Sequence, residues 1–326
     1  MILAGDIGGT NTRLALFELE GERLRSVAGK TFPSQKFESL ETIVKTFVSE
    51  YGLSVKHACF GIAGPVIQER SPLTNLGWLV EADQLAKTLG IRKVGLINDL
   101  EANAYGLAGL EEKDFFILNE GASGATGNMA VIAAGTGLGE AGCYWDGKQQ
   151  HPFSCEGGHT DFGPRNQLEM DLLNFLLPKF ERVSYERILS GPGLFEIYKF
   201  LRDTGHGEEP PWLAEEIQQQ DPSVAVSNAA LENRSELCRQ TLDLFISIYG
   251  AEAGNLALKI MARGGVYIGG GIAPKIIKKL KSPIFMEAFT AKARMKPVLE
   301  AMPVRVILND KTALLGAARY AIYCSP

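Results

Sequence analysis

The chain has 326 residues, 45% hydrophobic and 22% charged, which is material for about two ordinary domains and too apolar for a disordered chain. Its 33 basic and 38 acidic residues give a net charge of -5, which excludes a strongly basic nucleic-acid binder. No apolar run reaches the roughly 18–20 residues of a membrane span, so no membrane partner is expected.

In chain order, Ile2 to Ala4 reads as a strand, Gly5 to Thr10 as a glycine turn, and Thr12 to Phe17 as a second strand with alternating polarity. Gly21 turns the chain back into a third strand over 24–31, so these strands form hairpins and not a strand–helix crossover. Apolar residues at 40, 43, 44, 47 and 48 predict a helix over 38–51. A buried strand starts at His57, a short helix covers 82–89, a strand runs from Lys93 toward Leu100, and a helix follows over 101–110. A second unit begins near Asn128, with a strand over 129–134, the turn Gly135 to Gly139 and a strand over 140–145. The strand–turn–strand pattern therefore occurs twice, a weak internal duplication. Helices are expected at 167–179, 185–189, 193–202, 212–219 and 222–262, the last with a break. The apolar residues of 235–262 suit either core or an interface. A strand over 265–272, a strand over 303–308 and a helix over 313–323 close the chain.

The 36 glycines follow no collagen period, so they serve tight turns or close approach of backbone to a ligand. The turn Gly5-Asp6-Ile7-Gly8-Gly9-Thr10-Asn11 is not a P-loop, because no Gly-Lys-Ser/Thr follows. It is not a dinucleotide fingerprint, because a strand follows it. It can still gather amide N–H groups around a phosphate, with the Asp6 carboxylate close enough to need a divalent cation between them. Taken alone it is equally a plain hairpin turn. A second turn, Gly135-Thr136-Gly137-Leu138-Gly139, suggests two loops facing one ligand. Gly269-Gly270-Gly271 ends another strand, either as a sharp turn or as a bare surface for a flat ring. The five cysteines (59, 143, 155, 238, 324) are odd in number and include no Cys-x-x-Cys pair. With an opening Met-Ile-Leu-Ala that does not resemble a signal peptide, they point to a reduced, cytoplasmic protein whose thiols are small buried hydrophobes.

The ordered set GDIGGTN (5–11), AGP (63–65), TNLGW (74–78), IND (97–99), AGTGLG (134–139), EGGHTDF (156–162), SYERILSGPG (184–193) and GNLAL (254–258) resembles the bacterial glucokinase family. That family lies within the sugar kinase, actin and heat-shock chaperone superfamily, and the resemblance runs from residue 5 to about 320. It implies an α/β fold of two domains, the actin-like ATPase (ribonuclease H-like) fold, with a cleft between the domains; because an open site would let water compete as the nucleophile, hinge closure over sugar is expected. Residues 1–110 with 306–326 would form the small domain and 111–305 the large one.

The resemblance also implies phosphorylation of D-glucose by ATP to glucose 6-phosphate, the first step of glycolysis, in a homodimer built through the large domain. On residue type alone Asp99 is either a site residue beyond a strand end or the cap of the next helix. The resemblance makes it the general base for the 6-hydroxyl. Asn75, Asn98, Asp99, Glu156, His159 and Glu186 become sugar ligands. Gly5–Asn11, Gly135, Thr136, Gly137 and Gly269–Gly271 become the ATP site, with Asp6 holding Mg²⁺ through water. Glu156 to His159 reads as a loop, because two glycines disfavour a helix. No zinc site is expected, since Thr-Asp-Phe follows His159 where the related repressor–kinase group carries cysteines. Glu181, Arg182 and Arg187 read as surface charge. A kinase for another hexose or for an N-acyl amino sugar is the alternative.

Overall fold

Alternating polarity in the first 33 residues builds a meander of β1 (Ile2–Ile7), β2 (Asn11–Glu20) and β3 (Arg23–Pro33). The antiparallel register pairs Ile2 with Phe17 and Ile7 with Thr12, so both expected hairpins form. The computed structural model describes residues 1–21 and 23–323; Cys324 lies outside the described residues.

Helix α1 (Leu40–Tyr51) carries the expected apolar stripe. The Ser39 hydroxyl accepts from the Thr42 N–H at its start, and Gly52, at φ +62°, ends it in the left-handed conformation. The chain then lays β4 (His57–Ile62) parallel to β1 and makes a small hairpin, β5 (Arg70–Leu73) and β6 (Trp78–Glu81). Helix α2 (Ala82–Leu89), β7 (Gly95–Asn98) and α3 (Asp99–Gly106) follow. The sheet order is β3-β2-β1-β4-β7. The β5–β6 hairpin is not foreseen in the sequence.

The second sheet has the order β11-β10-β9-β12-β13-β8. Its first strands are β8 (Phe115–Asn119), β9 (Met129–Ala134), β10 (Leu138–Trp145) and β11 (Gln150–Cys155). A helical block follows: α4 (Gln167–Phe180), α5 (Gly191–Asp203), α6 (Pro211–Gln219), α7 (Pro222–Leu231) and α8 (Glu236–Ile260). Then come β12 (Gly265–Gly269), the short helices α9 (Ile277–Leu280), α10 (Ile284–Thr290) and α11 (Lys296–Glu300), and β13 (Val304–Ile307). The final helix is α12 (Thr312–Tyr323).

The break expected within 222–262 falls between α7 and α8, where Asn233 takes φ +55° and the Ser235 side chain caps α8. Leu237, Leu242, Leu244, Phe245, Ile246, Ile248 and Tyr249 are all buried, so the apolar residues of α8 are core. The helix expected at 185–189 is only a 3-10 turn, Tyr185–Arg187, closed by Ser190-Gly191 at the start of α5. Strands β8 and β11 and helices α9 to α11 are not anticipated.

The chain divides into two compact units. One is 1–114 with 152–154 and 309–323; the other is 115–151 with 155–308. The return to the first unit comes after Leu308 and not at residue 306, because β13 pairs with β12 on one side and β8 on the other. In the first unit α12 packs Ala313, Leu314, Ala317 and Ala321 on the face of the sheet that presents Ala4, Ala15 and Cys59. The duplicated pattern is visible in both units: β1 is antiparallel to β2 and parallel to β4, and β9 is antiparallel to β10 and parallel to β12. Cys59, Cys143 and Cys238 are buried, as small apolar filler would be, whereas Cys155 is only half-buried. No described helix is long and apolar enough to cross a membrane.

Candidate active site

In the first unit the candidates gather at the carboxyl ends of three adjacent parallel strands, where open α/β sheets bind ligands. Register pairs Ile7 with Ile62 and Ile62 with Asn98, so β1, β4 and β7 end level. Gly61 pairs with Asp6, and a Cβ on Gly61 would stand 3.7 Å from Asp99 Cα and 2.9 Å from Ala102 Cβ. Asp6 and Asp99 thus flank one glycine. The turn itself is Gly8 to Thr10, closed by the Gly8 N–H donating to Asn11 O at 2.9 Å. Asn75 lies beside it, its Cβ 3.7 Å from where a Cβ on Gly9 would stand.

Gly5 and Ile7 belong to β1 rather than to the turn. Gly5 is glycine for a packing reason: a Cβ there would overlap the Phe60 ring and meet Leu14 at 3.1 Å. Burial pushes the Asp6 carboxyl up from its ordinary value, opposed by Arg13 across the β1–β2 pair. Arg13 also donates to Asp310 O at 3.1 Å. A desolvated carboxylate beside a glycine turn fits a hydrated Mg²⁺, which needs one or two carboxylates besides phosphate oxygens.

The capping duty falls on Asn98, not Asp99. Asn98 Oδ1 accepts from the Leu100 N–H at 2.9 Å and the Glu101 N–H at 3.4 Å, and its Nδ2 donates to Gly64 O at 3.2 Å. The helix therefore starts two residues earlier than the sequence suggests, with Asp99 as its first residue. Asp99 Oδ1 accepts from its neighbour's amide, Leu100 N, at 2.9 Å.

In the second unit both remaining glycine turns stand side by side, because β9 and β12 are parallel neighbours with Gly269 opposite Ala133. Gly135 and Gly271 have no atom within 4 Å of a Cβ position. Gly270, at φ +81°, is required by Ala134, whose carbonyl carbon would lie 2.8 Å from a Cβ. The second turn is closed by the Gly135 N–H donating to Gly137 O at 2.8 Å. It is tied to α5 by the Gly191 N–H donating to Gly135 O at 2.8 Å.

Glu156, His159 and Glu186 converge in the same unit. His159 Nε2 lies 3.9 Å from Glu156 Oε2, and its Nδ1 lies 3.9 Å from Glu186 Oε1. Glu156 and His159 are more than half exposed and Glu186 30% exposed, so all three can reach a ligand. The segment expected as a loop closes a 3-10 turn, Gly157–His159. Glu186 has a second duty: its Oε2 accepts from the Leu138 N–H at 3.1 Å, and its Cδ would be 3.2 Å from a Cβ on Gly137. Arg182 is more than surface charge, since it donates to His159 O at 2.9 Å and to Asp161 at 2.8 Å. Arg187 stacks over the Phe180 ring. Glu140, a buried acid beneath the Gly157 turn, is missed by sequence reasoning. Its one sign is a charge on an otherwise apolar strand.

A family model described as Glucokinase matches residues 3–323. A glucokinase of Nostoc punctiforme is 43% identical, with 98% of each chain covered, and one of Synechocystis is 42% identical over 97% of this chain and 96% of its own. The crystal structure of a glucokinase from an Antarctic psychrotroph superposes with a TM-score of 0.86 at 31% identity, covering 99% of this chain and 98% of that one. A glucokinase of the ROK family from Streptomyces griseus, solved with glucose and AMPPNP, shares the fold at a TM-score of 0.64 and 21% identity, covering 99% of each chain. Both parallel-strand ends with their glycine turns thus sit in the actin-like fold of sugar kinases, and the chain belongs to the glucokinase family.

Proposed function

We infer that the protein transfers the γ-phosphoryl group of ATP to the 6-hydroxyl of D-glucose. Family membership supports the reaction class, and the division of labour between Asn98 and Asp99 carries the assignment of the base. Asn98 caps α3, so Asp99 is not needed for that purpose; as the first residue of α3 it lies just past the end of β7, across Gly61 from Asp6. In the reaction the Asp99 carboxylate takes the hydroxyl proton, the sugar oxygen bonds to the γ-phosphorus, and ADP leaves. Positioning and charge stabilisation supply most of the rate in such transfers.

The remaining roles follow from the chemistry of the donors. Glu156 and Glu186 accept sugar hydroxyls, two each when ionised, and His159 adds a ring nitrogen between them. Asn75 and the second Nδ2 hydrogen of Asn98 are further donors. The Gly8–Thr10 turn and Gly135–Gly137 bind the phosphates, and Gly269–Gly271 receives the adenosine. Asp6 would hold Mg²⁺, which when bound neutralises phosphate charge. The same reading carries a cytoplasmic homodimer, checked by fractionation and light scattering.

The test is a coupled assay of the full chain with MgATP and a panel of hexoses. Glucose-dependent ADP release is expected, with Asp99→Asn slower by about 10² to 10⁴ in kcat and its sugar affinity by calorimetry little changed. An Asp99→Asn enzyme with near-normal kcat would remove Asp99 as base. Preference for another hexose would transfer the substrate to that sugar.

A further inference from the structure

The alternation of β10 puts Leu138, Glu140 and Gly142 on one face of the strand, and all three are buried. Glu140 is only 1% exposed. Directly above that face lies the Gly157–His159 turn. A Cβ on Gly157 would overlap Glu140 Oε2 and come within 2.6 Å of its Cδ, while a Cβ on Gly158 would come within 2.9 Å of the Leu138 carbonyl carbon. Both glycines of Glu156-Gly-Gly-His159 are thus explained by one fact: the turn rests on β10, and its lowest point touches the Glu140 carboxyl.

That carboxyl has an unusual environment. Its Oε1 is buried and has no hydrogen-bond partner. From α8 it faces Tyr249, Glu252 and Lys259; beside the turn it faces Cys155. Glu252, fully buried, already holds the available donors: Asn255 Nδ2 at 2.7 Å and Lys259 Nζ at 3.4 Å. Asn255 in turn donates to Tyr185 OH at 3.1 Å and accepts from Lys292, so the network continues to the residue preceding Glu186. Two buried carboxylates with one paired ammonium do not both ionise readily. Glu252 takes both of those donors. Glu140 suits the neutral acid, and burial, with Glu252 adding to it and Lys259 opposing, pushes its carboxyl up to about 8.

We propose that Glu140 is a positioning residue for sugar binding: its carboxyl seats the Gly157–His159 turn and so sets Glu156 and His159 against Glu186. On ionising, the carboxylate would face the Glu252 carboxyl with only the Lys259 ammonium, already paired with Glu252, to offset it, and lifting the turn from β10 would hydrate it. Glu186 is anchored separately, to the Leu138 amide, so lifting the turn separates His159 from it. This rests on the sugar-binding reading of those three side chains.

The experiment measures kcat and KM for glucose between pH 6.5 and 9.5 in the wild type and Glu140→Gln, which is neutral at every pH. The wild-type KM should rise about tenfold per pH unit beyond its inflection, with kcat changing much less. Glu140→Gln should hold a flat KM, close to the wild-type value at low pH. A variant that keeps the alkaline rise, or a wild type whose KM is flat throughout, overturns the proposal. A wild type that phosphorylates no hexose at any pH instead defeats the functional reading. The seating itself is tested without activity by a urea-denaturation cycle of Gly157→Ala and Glu140→Ala. Removing the carboxyl makes room for the added methyl, so the loss caused by Gly157→Ala should shrink by at least half in the Glu140→Ala background. Additive losses would overturn the contact. This cycle also decides the matter if Glu140→Gln does not fold.

Discussion

Helices α3 and α12 of the first unit touch through glycines, and this contact fixes the helix that begins with Asp99. A Cβ on Gly316 would lie 2.7 Å from both the Ala102 carbonyl carbon and the Gly106 nitrogen; one on Gly106 would lie 2.8 Å from Thr312 Cγ2. The added methyl would also overlap the Ala102 carbonyl oxygen, and heavy atoms in contact prefer about 3.5–4.0 Å, so Gly316→Ala must move α3 and α12 apart by about 1.5–2 Å. Overpacking of this kind costs about 1–3 kcal/mol, and the better helix propensity of alanine returns up to about 1 kcal/mol. Because the added methyl meets backbone and not a flexible side chain, the cost lies at the upper end, and the net loss of stability should be about 2–3 kcal/mol by urea denaturation. The effect on activity should be larger in proportion. A shift of about 1 Å at a reacting group can cost about 10²-fold, so kcat should fall by about that factor with the fold retained. Gly29→Ala is the control: a Cβ on this exposed β3 residue meets nothing closer than 3.6 Å. If Gly316→Ala keeps wild-type stability and kcat, the close helix contact does not govern the position of Asp99.

Glu186→Ala removes both the proposed sugar acceptor and the brace of the Gly135–Gly137 turn, so KM should rise about tenfold or more for ATP as well as for glucose; a change confined to glucose would deny the brace. Asp6→Asn should raise the Mg²⁺ concentration needed for half-maximal rate, read from a metal titration, and an unchanged midpoint would remove Asp6 from the metal site. The same variant tests the burial of Asp6. A carboxyl raised on folding binds a proton more tightly in the native state, so its stability is full below the unfolded pKa and declines as pH rises through the folded one. Asp6→Asn should lack that decline, and its ligand-free stability should gain on the wild type as pH rises from about 4 toward 7.

Elements with a long clean period are legible in the sequence. Apolar positions 40, 43, 44 and 47 of α1 are all buried, and the flanking Ser39 and Gly52 mark its ends. Elements defined by partners are not. Strand β11 alternates only loosely between exposed and half-buried residues and is a strand because it can pair at the edge of the second sheet. Helices α9 to α11 run to seven residues at most, too short for a 3.6-residue period to stand out. The boundary between α7 and α8 falls in the short polar run Glu232-Asn233-Arg234-Ser235 between two apolar stretches, and the structure places it at the left-handed Asn233.

The site divides in the same way. Side chains named by the family motifs do converge within each unit, but their backbone supports are invisible in one dimension. The adjacent pair Asn98 and Asp99 offers two equally good caps by residue type, and only the geometry of α3 assigns the cap to Asn98. Gly5 and Gly137, read as ATP-site glycines, and Gly157 and Gly158 of the Glu156–His159 turn are each occupied on the Cβ side by protein: Phe60, Glu186, Glu140 and Leu138 respectively. Gly135 and Gly271 have open space there, which is what a nucleotide approaching the backbone requires. A glycine-rich motif therefore mixes two demands, and the open Cβ positions at the ends of β9 and β12 separate glycines with room for a ligand from those whose Cβ side is filled by protein.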